Sequence, residues 1–281
     1  PFESKVPGVM HACGHDIHTS NLLTVAEILN RTKDQWKGKV KLVFQPAEEN
    51  GGGGREMIKA GLMDEIPDAC FALHVENGVP GKIVVGSRYL TAYSDSYKIT
   101  VHGKAAHSST PEEGVDAVYI AASIVTALHG IISRNLSPMD RATLNVGMIH
   151  GGTAPNIIAD EVTLGVMLRN LSKESREAMM KKIETISNGI AESMGGSCDL
   201  AFRAGYAAVY NDEKFSDFVA ATFRKYEDII HVDLGDGKPE DWLITGEHPL
   251  LGAEDFGFYS QKAPSCMIWV GVGGNSPKHS P

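Results

Sequence analysis

Side chains of the kind that bind metal ions crowd into one short segment near the start of the chain. Residues 11–18 contain three histidines, one cysteine and one aspartate: His11, Cys13, His15, Asp16 and His18. Thiolate, imidazole and carboxylate groups are costly to desolvate together unless a metal ion pairs with them. The segment therefore predicts a metal-dependent protein whose fold brings further donors to this turn.

A second pair of donors, Glu48 and Glu49, follows the apolar stretch 40–44 and precedes four consecutive glycines at 51–54. Adjacent glutamates are usually a solvated charge pair. Here the glycines let the backbone come close. Gly14, between Cys13 and His15, lets the backbone turn tightly enough to aim both side chains at one point. One carboxylate can then bind metal while the other stays available as a base, which is what activation of water requires.

Composition narrows the class of protein further. The 281 residues are 42% hydrophobic and 22% charged, which is typical of a globular protein, and the net charge of −9 argues against a nucleic-acid or anionic-membrane surface. Four widely spaced cysteines favour a reducing, cytoplasmic setting. No stretch approaches about 18 consecutive apolar residues, so no membrane span is expected. A small molecule is the expected partner.

Apolar periodicity predicts strands and helices in alternation. A helix capped by Asp16 is expected to run to Arg31, and short strands are expected at 40–44, 69–75 and 82–86. This β-α-β order predicts an α/β domain with a mostly parallel, helix-covered sheet and ligands at the strand ends.

From about Ser94 the order becomes β-α-β-β-α-β, with a long helix that Ser172 is expected to cap, and this order is that of a ferredoxin-like α+β domain. Near Asn211 the sequence returns to the alternation of helices and strands that precedes Ser94. The predicted organisation is a catalytic metal-binding domain in two parts, 1–93 and 204–281, interrupted by an inserted domain at 94–203.

Some further polar residues are ambiguous when read alone. His74 ends an apolar strand, where a metal ligand is favoured over a buried structural histidine. His107 and Asn156 lie in loops, and Arg169 ends a strand, so each has an ordinary structural explanation. His279 could lie in a disordered tail.

Six motifs together resemble the N-acyl-amino-acid amidohydrolase family, which includes hippurate hydrolases, auxin-conjugate hydrolases and aminoacylase-type carboxypeptidases among the dinuclear metallopeptidases. The resemblance covers essentially the whole chain. The motifs are MHACGHD at 10–16, QPAEE at 45–49, LHV at 73–75, GKAAH at 103–107, GGTAPN at 151–156 and GAEDF at 252–256.

The resemblance implies a zinc-aminopeptidase-like catalytic domain, with the insert acting as a lid and as the surface of a homodimer or homotetramer. It also implies two divalent ions, zinc or manganese with cobalt or nickel as alternatives. Their implied ligands are Cys13, His15, Glu49, His74 and His279.

The remaining roles come from the same resemblance. Glu48 matches the general base, and His107 matches the histidine that stabilises the oxyanion. Asn156 and Arg169 match residues that hold the α-carboxylate of the substrate. The loop after His107 is more polar than is common in the family, which leaves the acyl-group preference open.

The sequence thus predicts a hydrolase that cleaves N-acyl amino acids, or short peptides, through a metal-activated water. The alternatives are a dipeptidase or carboxypeptidase of the same clan, a non-catalytic metal-binding remnant, and a hydrolase with Cys13 as nucleophile. Against the family pattern the chain lacks an upstream aspartate strand and a terminal helix, so we expect it to be an apparently truncated, poorly active part of a longer protein.

Overall fold

The computed structural model describes residues 4–227 and 242–274. In these residues the helices are α1 (His15–Arg31), α2 (Gly53–Lys59), α3 (Ala117–Asn135), α4 (Lys173–Ser193), α5 (Glu213–Lys225) and α6 (Gly257–Ser260). The strands are β1 (Cys70–Glu76), β2 (Ile83–Gly86), β3 (Arg88–Tyr89), β4 (Tyr93–His102), β5 (Ala106–His107), β6 (Ala142–Gly151), β7 (Ile157–Ile158), β8 (Glu161–Asn170), β9 (Ser197–Tyr206), β10 (Tyr210–Asn211), β11 (Leu243–Gly246) and β12 (Ser265–Gly271).

The chain divides into two compact units. Unit 1 comprises Pro1–Leu90, Tyr210–His248 and Tyr259–Pro281, and unit 2 comprises Thr91–Val209 and Pro249–Phe258. Residues 249–258 thus group with unit 2, whereas the sequence reading assigned them to the last part of the catalytic domain.

Unit 1 is built on a sheet with the strand order β1-β12-β2-β11. The pairs β1–β12 and β2–β11 are parallel, as expected, whereas β12 and β2 run antiparallel. The unit is mixed α/β, and its core joins β2 and β12 to Val219 of α5 and to Trp242.

Two local expectations for unit 1 are wrong. Residues 40–44 form no strand, because no neighbouring strand pairs with them in the described part of the chain. Helix α1 begins after Gly14 without a side-chain cap, so Asp16 does not cap it. Within the described residues α1 also has no fully buried side chain.

Unit 2 has the expected β-α-β-β-α-β order. Its sheet has the strand order β6-β8-β4-β9 with every pair antiparallel, and its core contains residues of α3 and α4. Ser172 caps α4 by accepting a hydrogen bond from the Ser175 N–H, as the sequence predicts. Among the described residues, α3 alone is long and apolar enough to cross a membrane, by length and composition only. Its buried side chains, such as Ile124 and Leu128, belong to this core.

A buried ion pair braces the same unit. Asp95 is 2% exposed and accepts hydrogen bonds from Arg176 Nε at 2.6 Å and Nη2 at 3.0 Å. The Arg176 guanidinium also lies over the rings of Tyr93 and Phe202, at 5.2 and 5.7 Å. Because Asp95 lies on β4 and Arg176 on α4, the pair fixes this helix to the sheet.

Candidate metal centre

The turn that carries Cys13 and His15 depends on the glycine between them. Gly14 has φ +81°, and its carbonyl accepts hydrogen bonds from the N–H groups of Ile17 and His18 at 3.0 and 3.1 Å, which starts α1. A Cβ at Gly14 would lie 2.2 Å from Val75 Cγ2. Only glycine fits both the left-handed backbone and this contact, so the turn holds Cys13 and His15 next to β1.

His74 reaches this turn from β1. Its side chain is buried, with 8% of the residue exposed, and its Nε2 lies 3.4 Å from Cys13 Sγ. The other ring nitrogen, Nδ1, donates to the Val75 carbonyl. A neutral imidazole that donates from Nδ1 keeps its lone pair on Nε2, and this is the usual state of a metal-binding histidine.

The two glutamates lie on a strained and closely packed loop. Ala47, just before them, has φ +58°, and a Cβ at Gly53 would lie 1.7 Å from the Pro46 carbonyl oxygen. His15 Nε2 lies 3.9 Å from Glu48 Oε2 and 3.7 Å from Glu49 Oε1. The backbone therefore brings both carboxylates to His15.

These residues form two groups of donors that share His15. The donor atoms of Cys13, His15 and His74 all lie within 4.8 Å of one another, and so do those of His15, Glu48 and Glu49. Thiolate, imidazole and carboxylate together suit zinc and similar divalent metals. The donor set therefore fits the expected metal centre.

His18 lies behind these donors. Its Nε2 accepts a hydrogen bond from the Val75 N–H at 3.0 Å, and its ring centre lies 4.5 Å from that of His74. Burial, followed by the His74 and His15 rings, lowers the pKa of His18 to about 4, and Asp16 acts weakly in the opposite direction. The ring is therefore neutral near pH 7. These contacts place His18 next to the His74 imidazole.

Sequence reasoning missed two supports of this centre. The Tyr259 hydroxyl donates to Gln45 Oε1 at 2.7 Å and so ties the start of the glutamate loop to a residue far along the chain. Val75 offers its backbone to His18 and His74. A backbone contact leaves no signal in the residue type, whereas the apolar position directly after His74 was visible in the LHV motif.

In unit 2 the structure brings His107 and Asn156 together. Strand β5 pairs with β7, and the Ser108 N–H donates to the Asn156 carbonyl at 3.0 Å. His107 Nδ1 accepts from the Ser109 N–H at 3.2 Å and contacts Ser109 Oγ at 2.7 Å. Because a backbone N–H can only donate, the proton of the neutral His107 ring lies on Nε2, which is then a donor.

The other two residues named from the sequence lie elsewhere. Arg169 is on β8, where it pairs with Ser94 of β4 on one side and with Thr143 of β6 on the other. Its Nη1 donates to the Leu251 carbonyl at 2.9 Å. It is therefore not part of the β5–β7 pair that carries His107. His279 lies outside the described residues.

Comparison with known proteins identifies a peptidase family and several related proteins. The model of peptidase family M20/M25/M40 matches residues 1–281. The chain is 31% identical to N-acetylcysteine deacetylase of Bacillus subtilis, covering 100% of the chain and 70% of that protein. It is 34% identical to thermostable carboxypeptidase 2 of Saccharolobus solfataricus, covering 96% of the chain and 66% of that protein. The crystal structure of the YXEP protein of Bacillus subtilis, a dinuclear metal-binding peptidase, matches with a TM-score of 0.81 at 28% identity, over 100% of the chain and 69% of that structure.

Proposed function

The chain belongs to peptidase family M20/M25/M40, a family of hydrolases, and from that premise we propose that it cleaves the amide bond of N-acyl amino acids to a carboxylate and a free amino acid. The observation that carries the proposal is the pair of donor groups joined at His15, one of which includes Glu48. The side chain of Glu48 is only 19% exposed, whereas that of Glu49 is 41% exposed. The deacetylase relative supports an acylated amino acid as the substrate class.

Two divalent ions, when bound, would supply the Lewis acidity for water activation, and zinc, manganese, cobalt and nickel are the candidates. Cys13, His15, Glu49 and His74 would hold them, with His279 as the further ligand that the resemblance implies. Glu48 would take a proton from the attacking water and deliver it to the leaving amine. His107, with its proton on Nε2, has the donor that stabilisation of an oxyanion needs. Asn156 and Arg169 would hold the α-carboxylate of the substrate.

The test is removal and return of metal. The protein is treated with a chelator, and hydrolysis of a panel of N-acyl amino acids is measured before and after zinc or manganese is added. We expect activity to fall with metal content and to recover with it, and Cys13→Ser to lower both together. Full activity without metal would refute the proposal, and full metal content in an inactive Cys13→Ser variant would indicate a thiol nucleophile instead.

A carboxypeptidase or dipeptidase activity is the second candidate, because the carboxypeptidase relative is 34% identical. Matched substrates separate the two: an N-acetyl amino acid and a dipeptide with the same C-terminal residue and a free amino group. Faster hydrolysis of the dipeptide would favour the second candidate.

The quaternary structure is also a proposal. Strand β6 is an edge strand of the unit 2 sheet, and Met148 and Ile149 on it are 57% and 54% exposed. Exposed apolar edge strands tend to pair with another chain. We therefore expect a homodimer or homotetramer through this unit, which light scattering after size exclusion would detect, and Ile149→Lys should weaken it.

A further inference from the structure

Val75 occupies a special position in unit 1 because both of its backbone polar groups serve imidazole rings. It lies on β1, an edge strand of the described sheet. Its N–H donates to His18 Nε2 at 3.0 Å, and its carbonyl accepts from His74 Nδ1. The residue that orients His74 is therefore itself held by His18.

His18 is not placed to bind a metal ion itself. Its Nε2 lone pair accepts the Val75 N–H, so in the neutral ring the proton lies on Nδ1. Neither nitrogen then has a lone pair to offer. Consistent with this, neither donor group that contains His15 includes His18 among the described residues.

Helix α1 fixes His18 relative to the turn that carries the other donors. The Gly14 carbonyl accepts from the His18 N–H at 3.1 Å, and Gly14 itself packs against the Val75 side chain. Val75 is thus held from two sides, by a hydrogen bond and by a close contact. The turn with Cys13 and the strand with His74 are kept in fixed relative positions through this one residue.

We propose that His18 is a positioning residue of the metal centre: it holds the Val75 backbone, which in turn directs His74 Nε2 toward Cys13. This inference rests on the proposed function for the presence of the metal. The contact of His18 with Val75 is a property of the protein itself, and it can be measured in the metal-free state.

The experiment compares three variants with the wild type. His18→Ala removes the acceptor, and His18→Gln returns an amide oxygen at about the reach of Nε2. His11→Ala is the matched control, because His11 belongs to the same segment but is exposed and lies outside both donor groups. Zinc affinity is measured by competition with a chelator, and exchange of the Val75 amide is measured by NMR in the metal-free proteins.

We expect His18→Ala to weaken zinc binding by about 10- to 100-fold, the usual effect of losing a group that orients a ligand, and to speed exchange of the Val75 amide. His18→Gln should recover part of both losses, and His11→Ala should change neither. Circular dichroism checks that each variant is folded.

Wild-type zinc affinity in His18→Ala, or a Val75 amide that exchanges equally fast in the wild type and in His18→Ala, would overturn the proposal. So would a folded His18→Gln variant that is as impaired as His18→Ala in both measurements. If the wild type binds zinc but hydrolyses no N-acyl amino acid, the proposed substrate fails. The expected affinities and exchange rates would still support the positioning role, since neither measurement needs turnover.

Discussion

Replacement of Gly14 by alanine should disturb the metal centre through two separable effects. A left-handed backbone costs an alanine about 1–2 kcal/mol. Overpacking adds about 1–3 kcal/mol, because the new Cβ would lie 2.2 Å from Val75 Cγ2. The sum, about 2–5 kcal/mol, corresponds to a loss of roughly 30- to 4,000-fold in an equilibrium constant.

This free-energy cost can be seen in the zinc affinity or in the stability of the metal-free protein. If the turn relaxes away from Val75 without metal, the cost is seen in zinc affinity, because binding has to pull the turn back. If the turn cannot relax, the cost is seen in the stability of the metal-free protein. Chelator competition measures the first quantity, and urea unfolding with chelator present measures the second.

A second substitution isolates the steric part. Val75→Ala removes Cγ2 but keeps the backbone groups that His18 and His74 use. In the double variant with Gly14→Ala, about 1–3 kcal/mol should therefore be recovered relative to the sum of the single effects. The reasoning is refuted if the two substitutions are additive within about 0.5 kcal/mol, or if Gly14→Ala changes neither affinity nor stability.

Four other substitutions have defined outcomes. Glu48→Gln should retain metal and slow turnover by about 10²–10⁴-fold, as loss of a general base does, whereas Glu49→Gln should lose metal first, as measured by metal analysis beside kinetics. Arg169→Ala should reduce kcat/KM for N-acyl amino acids far more than for the corresponding amides, which have no carboxylate to bind. Asp95→Asn should lower the free energy of unfolding by about 3–5 kcal/mol in urea titration, because it leaves the partly buried Arg176 guanidinium without its charge partner.

For each of these predictions, a different result would contradict the reasoning. Metal retained in Glu49→Gln and lost in Glu48→Gln would reverse the two roles. Equal losses on acids and amides would exclude Arg169 from carboxylate binding. Glu65→Gln, in the exposed Lys39–Glu65 pair, should cost at most about 1 kcal/mol, so a similar small loss for Asp95→Asn would show that burial does not strengthen its pair.

Local signals in the sequence predicted those elements that local chemistry determines. Ser172 marked the start of α4, and the motif around Gly14 predicted that Cys13 and His15 face one point. The prediction of a strand at 40–44 was wrong. A strand forms only beside a partner strand, and apolar residues such as Val40 and Leu42 do not indicate whether a partner is present. The antiparallel pairing of β12 with β2 is non-local, and no short pattern encodes it.

In the candidate site, too, the sequence predicted local features and not those that depend on packing between distant residues. Glu48 and Glu49 were identified as a pair from their adjacency, but the 3.7 Å approach of Glu49 to His15 depends on how the loop packs. The contact between His74 and Cys13 joins residues 61 positions apart, and it was expected only from a strand end and a family resemblance. Val75 could not be identified, because it acts through backbone atoms that every residue type has.

The contact between His107 and Ser109 has a consequence for mutational tolerance. The donor that places the imidazole proton on Nε2 is the backbone N–H of residue 109, and every amino acid except proline carries one. A library that varies this position should therefore keep the ring state in nineteen of the twenty residues that can occupy it. Serine and threonine alone would add the hydroxyl contact. Position 109 can thus be varied widely, with one residue, proline, to avoid.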